Sequence, residues 1–244
     1  MHMPSPGRRS LIAIPAHNEA ATIRDVVDRV HAHLPDCDLL VVNDGSSDAT
    51  SAVLADSGAV VAEHICNLGY SRAIQTAVLY AARSGYDRLI TLDADGQHDP
   101  EQVRALLTEF DAQQLDVLIG SRYMVSRTYA GVPFGRRIGM RLFSTLVAVT
   151  AGRRIYDTTS GLKVIGRRTF EPLTQWHFID FHAEALVYLM RLGFRVGEFP
   201  VTVVERRHGQ SMYSTISLLK YPLKTLLMLV LGVIQADLTR RRAS

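Results

Sequence analysis

Cysteine is almost missing from this chain: 244 residues hold only Cys37 and Cys66, far apart and in no ligand spacing. A disulfide framework and a thiolate metal site are therefore disfavoured, and a reducing compartment fits. Long apolar runs are missing too. No stretch offers the ~18 uninterrupted apolar residues of a membrane span, and Leu226 to Ile234 near the C-terminus gives only nine residues without a charge. Arg8 and Arg9 precede the apolar run Leu11 to Ala16, which is too short for a secretory core, so no signal peptide is expected. Neither a Gly-x-Gly-x-x-Gly turn nor a Walker A loop occurs, which disfavours a dinucleotide site and a P-loop. If the protein handles phosphates, other groups must do it.

With 47% hydrophobic and 21% charged residues, the chain suits one globular domain, or one domain with an appendage. The net charge of +3 hides an asymmetry. Residues 1–121 carry 8 basic and 17 acidic side chains, whereas residues 122–168 carry 10 basic and one acid, Asp157. Such a switch points to an anionic partner for the second half, against the plainer reading of a solvated basic surface.

The first half alternates short apolar runs with amphipathic segments. Strands are predicted at Leu11–Pro15, Leu39–Val42, Val60–His64, Arg88–Leu92 and Val117–Gly120. Between them, Ile23, Val26, Val27, Val30 and Leu34 form one helical stripe over 20–34, and Ser47 or Asp48 can cap a helix running to about Ser57. Further helices are predicted at 71–84 and 101–112. This alternation implies parallel pairing with right-handed crossovers: a doubly wound, mostly parallel α/β sheet. The second half is less regular, with helices predicted at 136–150 and 183–191, strands at 162–165 and 196–200, and a long apolar-faced helix over 217–238.

In such a sheet, ligands bind outside the carboxyl ends of the strands. Three predicted strands end in His17-Asn18-Glu19, Asn43-Asp44 and Asp93-Ala94-Asp95. Two carboxylates one residue apart can hold a hard divalent cation, Mg²⁺ or Mn²⁺, while leaving positions for water and diphosphate oxygens. Gln97 offers a carbonyl oxygen nearby. The plainer alternative is an Asx-rich turn that only starts the helix at Glu101.

The segments Ile14-Pro15-Ala16-His17-Asn18-Glu19, Val42-Asn43-Asp44-Gly45-Ser46-Ser47-Asp48, Leu92-Asp93-Ala94-Asp95-Gly96-Gln97-His98 and Gly120-Ser121-Arg122-Tyr123 occur in order. With Asp157-Thr158-Thr159-Ser160-Gly161 and Arg206-Arg207-His208-Gly209-Gln210-Ser211, the set resembles family 2 glycosyltransferases of the GT-A (Rossmann-like) fold. Within them it is most similar to the polyprenyl-phosphate sugar synthases, over about residues 10–215. The resemblance implies that Pro15, Glu19, Asp44, Asp93, Ala94 and Arg206 serve the nucleotide-sugar donor. It implies that Asp93, Asp95 and Gln97 hold the metal, and that Arg122, Arg136 and Arg137 meet an acceptor phosphate. Met212 stands where family members often carry a lysine, and Met140 where a serine often helps bind the acceptor. Bulky residues fill Asn67-Leu68-Gly69-Tyr70-Ser71-Arg72.

The resemblance further implies an inverting, metal-dependent transfer from a GDP- or UDP-sugar to a polyprenyl phosphate, with Asp95 and Arg122 among the catalytic groups. A soluble hydroxyl acceptor would need a base, for which Glu184 is the candidate beside the alternative of a solvated helix-start residue. Asp180 reads as structural, and Trp176-His177-Phe178 as packing. A non-catalytic nucleotide-sugar scaffold is the third reading. The expected organisation is a transferase domain over 1–215 and an amphipathic, basic helical segment over 216–244. That segment either rests on the inner face of the cell membrane, keeping the protein cytoplasmic and peripheral, or docks on the domain or on a twin subunit as a homo-oligomer. No nucleic-acid partner is implied.

Overall fold

The computed structural model describes residues 8–124, 134–176, 178–179, 181–203 and 217–243, with the side chains of 134–139, 142–143, 217–225 and 243 outside that description. Seven strands, β1 (Ser10–Ala16), β2 (Asp38–Asn43), β3 (Val60–Glu63), β4 (Arg88–Thr91), β5 (Val117–Ser121), β6 (Lys163–Gly166) and β7 (Val196–Pro200), form one sheet in the order β3-β2-β1-β4-β6-β5-β7. The helices are α1 (Ile23–His33), α2 (Thr50–Leu54), α3 (Tyr70–Arg83), α4 (Glu101–Ala112), α5 (Phe134–Ala151), α6 (Phe170–Gln175), α7 (Ala183–Arg191) and α8 (Ser217–Ala243).

The helical stripes go where their periodicity sends them. Ile23, Val26, Val27 and Val30 of α1, with Val103, Leu106 and Phe110 of α4, cover one sheet face together with Ile12, Ile14, Val41 and Val164. Ala73, Ile74, Ala77 and Val78 of α3, with α7 and part of α8, cover the other face against Leu11, Ala13, Leu89 and Ile165. Strand residues alternate between two buried faces, which is why β1 and β2 read as continuous apolar runs. The helix expected to reach Ser57 stops at Leu54; Asp48 Oδ1 still holds its first turn, accepting from the Thr50 amide at 3.0 Å and the Thr50 hydroxyl at 2.5 Å.

The sheet is parallel except at β6, which pairs antiparallel with both β4 and β5. Because β6 runs against β4 and β5, its first residue, Lys163, lies opposite Thr91 and Ile119, toward the carboxyl ends of those strands. Residues 157–161 are thereby returned to the edge where β1, β2 and β4 end.

Helix α8 packs on the core. In α8, Leu229 and Ala236 are buried in the same cluster as α3 and α7. A Cβ at Gly232 would sit 2.7 Å from the Glu184 carbonyl oxygen, so the two helices touch backbone to backbone there. No helix among the described residues is long and apolar enough to cross a membrane.

Candidate active site

Three loops meet at the carboxyl edge. The first two are knitted by Asn18, which adopts φ 56°. Its side-chain oxygen accepts from the Ser47 amide at 2.8 Å and the Asp48 amide at 3.3 Å. The Glu19 amide donates to Thr50 Oγ1 at 2.9 Å, and Thr22 Oγ1 donates to the Glu19 carboxylate at 2.8 Å. Pro15 lies one residue from the end of β1, in register with Val42.

Asp44 is 3% exposed and its carboxylate is fully engaged. His64 Nδ1 approaches Oδ1 at 2.7 Å, and the amides of Leu68 and Gly69 donate at 2.9 and 2.8 Å. Burial pushes this carboxyl up, but the His64 and backbone hydrogen bonds outweigh it and hold the group below the ordinary aspartate value. In the structure Asp44 thus organises the 64–69 loop, a task that its place in a motif did not reveal.

The metal-candidate loop follows β4. Asp93 is partly exposed, Ala94 is buried and Asp95 is 9% exposed. The Gln97 amide donates to Asp95 Oδ1 at 3.0 Å, and Gly96 takes φ +71°, so the chain doubles back and keeps both carboxylates at the same turn. Asp93 rests directly on Gly161: a Cβ there would collide with both carboxylate oxygens. Thr91 Oγ1 fixes the same contact by donating to the Gly161 carbonyl at 2.5 Å. Among the described residues, no group of three or more His, Cys, Asp or Glu side chains could hold a metal by itself. Two carboxylates with one amide oxygen instead suit a hard cation that keeps water and ligand oxygens in its remaining positions.

Arg122, just past β5, forks onto Asp157: Nε donates to Oδ2 at 2.7 Å and Nη2 to Oδ1 at 2.8 Å, with Thr159 Oγ1 at 3.1 Å from the same Nη2. Asp157 is fully buried. The guanidinium loses solvation on burial, yet Asp157 more than compensates and keeps it firmly charged, with Asp93 adding a smaller attraction. The single acid of the basic stretch is therefore paired with Arg122. Behind this pair, Lys163 is buried; its Nζ donates to the Ser160 carbonyl and lies 3.1 Å from His182 Nδ1. His98 is 5% exposed. Burial first, then the charge of Arg122, lowers its pKa to about 4 and keeps its ring neutral.

The other expected residues separate from this edge or fall outside the description. Arg206 is not described, nor is Asp180; Arg136 and Arg137 stand in the first turn of α5, with their side chains outside the description. Glu184 is not a solvated helix start. It is 0% exposed, and its carboxylate accepts from the Ile179 amide and from Gln235 Nε2, both at 2.8 Å. Those contacts tie it to α8. Trp176 donates from Nε1 to Thr239 at 2.9 Å and Phe178 is buried, so these aromatics pack, as expected.

The mostly parallel α/β sheet with one antiparallel strand is of the GT-A type. The model of glycosyl transferase family 2 matches residues 11–173, and the chain belongs to that family. It is 33% identical over 220 residues to the polyprenol monophosphomannose synthase of Mycolicibacterium smegmatis, covering 86% of this chain and 82% of that one. To the undecaprenyl-phosphate mannosyltransferase of Micrococcus luteus it is 28% identical over 215 residues, covering 84% and 88%. Glucosyl-3-phosphoglycerate synthase from Mycobacterium tuberculosis, solved with Mn²⁺, UDP-glucose and phosphoglyceric acid, shares the fold with a TM-score of 0.69 at 19% identity, over 95% of this chain and 85% of that one. The protein is a glycosyltransferase enzyme.

Proposed function

We propose that this enzyme moves a sugar from a GDP- or UDP-sugar to a polyprenyl phosphate by a single inverting displacement, with a divalent cation at Asp93, Asp95 and Gln97. The observation that carries the reading is the Asp93–Gln97 turn, braced on Gly161 and faced by the Arg122–Asp157 pair. The names of the mycobacterial and micrococcal relatives support the acceptor, and the Mn²⁺ and UDP-glucose of the structural neighbour support the cation and the donor type. Bound Mg²⁺ or Mn²⁺ would offset the charge gathering on the departing diphosphate.

The chain's own groups do the rest. Asp157 fixes the plane of the Arg122 guanidinium, and Arg122, Arg136 and Arg137 are the groups assigned to the acceptor phosphate. Asp44, Glu19 and Pro15 shape the nucleotide end, and Arg206 serves the donor diphosphate. An acceptor phosphate oxygen is ionised at neutral pH, so it can attack the anomeric carbon without a protein base. That chemistry agrees with a Glu184 whose carboxylate is already engaged. Alignment and charge stabilisation then supply the rate.

The outer face of α8 supports work at a membrane surface. Leu226, Val230, Ile234 and Leu238, spaced four apart, are 41–47% exposed, with Leu227 beside them at 54%; Arg240, Arg241 and Arg242 close the helix. An apolar stripe with a cationic end is the pattern of an interfacial helix. Transfer from GDP-mannose, UDP-glucose and UDP-N-acetylglucosamine to decaprenyl phosphate, with and without EDTA, tests the reaction. Product with Mn²⁺ and none in EDTA is expected; transfer only to a soluble alcohol acceptor would refute the lipid-phosphate reading. Flotation with anionic liposomes tests the helix.

A further inference from the structure

His98 ends the metal-candidate loop, three residues beyond Asp95, and its backbone bridges antiparallel to Val203 beyond β7. The ring is 5% exposed, and Nδ1 has no hydrogen-bond partner among the described residues. Buried polar atoms in folded proteins are nearly always satisfied, so an orphaned one beside a binding edge points to a group that arrives with a ligand. The ring lies within electrostatic reach of Asp95, Arg122, Asp157 and Lys163. Those charges already have tasks: Asp95 in the cation turn, Arg122 on Asp157, and Lys163 on the Ser160 carbonyl and His182. A diphosphate oxygen only accepts, and the proposed cation and the arginines already serve it. A hydroxyl both donates and accepts, so it satisfies Nδ1 in either tautomer. A nucleotide sugar offers hydroxyls on both sides of its diphosphate. With the ribose side given to Pro15, Glu19 and Asp44, the transferred sugar is the part left for the Asp93–Gln97 turn and the histidine that follows it.

We propose that His98 Nδ1 hydrogen-bonds a hydroxyl of the donor sugar and that His98 is a specificity-determining residue of the donor site. This rests on the nucleotide-sugar reading above. A site built to bond a substrate hydroxyl discriminates strongly when the bond is lost, because its own buried group is left unpaired.

The test is calorimetric binding in Mn²⁺ of GDP, UDP, GDP-mannose, UDP-glucose and UDP-N-acetylglucosamine to the wild type, H98F, H98N and H98Q. Asparagine puts its amide near the position of Nδ1, whereas glutamine reaches toward that of Nε2. For whichever sugar nucleotide the wild type binds, H98F and H98Q should lose about tenfold or more in affinity, the scale of one hydrogen bond to a substrate. H98N should stay within about threefold, and binding of the matching nucleoside diphosphate should hardly change in any variant. Equal loss for nucleotide and sugar nucleotide overturns the proposal, as does no loss in H98F. If H98F does not fold, the H98N and H98Q pair decides, and equal behaviour of those two overturns it. A wild type that binds none of the five ligands refutes the nucleotide-sugar reading itself, a result distinct from any ranking among variants.

Discussion

Arg122 and Asp157 stand 35 residues apart in sequence and make a two-pronged ion pair, 2.7 and 2.8 Å, at the edge of the sheet. The Arg122 amide also donates to Asp157 Oδ2 at 3.0 Å. One carboxylate therefore fixes both the chain direction after β5 and the plane of the guanidinium. Removing one partner of a buried pair leaves the other uncompensated. Asp157→Asn, isosteric but uncharged, should lower stability by about 2–4 kcal/mol. Adding Arg122→Met should recover part of that loss, because the stranded charge goes too. Urea unfolding of the two single variants and the double measures the coupling; strictly additive losses would contradict a coupled pair.

Gly161 is required for space rather than for chain freedom: the contact it permits is with Asp93. A methyl group there would overlap the carboxylate, so Gly161→Ala must push Asp93 aside or separate β6 from the loop. Transfer activity should fall about 10- to 100-fold, since displacement of a positioned group by around an ångström has that scale. Stabilisation by Mn²⁺ with nucleoside diphosphate in a thermal melt should shrink in parallel. A variant with unchanged Mn²⁺-dependent melting and activity would show that the contact yields without consequence.

Much of this edge was legible in the sequence, because strand ends and their polar residues follow from local apolar runs. The stripes of α1, α3 and α4 and the limits of α4, α7 and β7 are set by spacing alone. What local pattern could not reveal depends on the return of the chain before β6. The antiparallel direction of that strand, the pairing of Asp157 with Arg122 and the seat of Asp93 on Gly161 are all non-local. The lone acid among ten basic residues was a signal for Asp157 that composition contained. His64 under Asp44 and the buried seat of Glu184 had no such signal, since a polar residue in a helical first turn is usually solvated.

Glu184 and Gly232 together hold α8 on α7. Gly232→Ala would put a methyl group 2.7 Å from the Glu184 carbonyl oxygen, too close for unaltered packing. A cost of about 1–3 kcal/mol is expected. Glu184→Gln replaces one acceptor oxygen by a donor facing either the Ile179 amide or Gln235 Nε2, and should also destabilise. Neither change should lower turnover with polyprenyl phosphate, measured on folded protein well below its melting temperature. A Glu184→Gln enzyme with native stability but strongly reduced turnover would restore that residue as a base.

His182 gives the pH dependence. Lys163 Nζ lies 3.1 Å from its Nδ1, and an ammonium only donates, so Nδ1 must carry a lone pair. Tyr70 stacks on the ring at 4.8 Å between centroids. Burial first, then the charges of Lys163 and Arg122, holds the imidazole well below its ordinary pKa of 6.5. As pH falls through about 6.5, the unfolded chain takes up a proton at this residue and the folded chain does not. The unfolded state is then favoured by as much as about 1.4 kcal/mol per pH unit, until the folded pKa is reached. The stability owed to neutral His182 is thus complete above about pH 6.5 and is lost below it. His182→Asn keeps an acceptor oxygen for Lys163 but cannot titrate. It loses the ring stack, which lowers its stability by a constant amount at every pH. The difference in unfolding free energy between wild type and His182→Asn, from urea melts between pH 8 and 5, should be flat above about 6.5 and should narrow steadily below it. A difference that stays constant down to pH 5 would mean that the folded protein protonates His182 as readily as the unfolded chain does, and that Lys163 turns away to allow it.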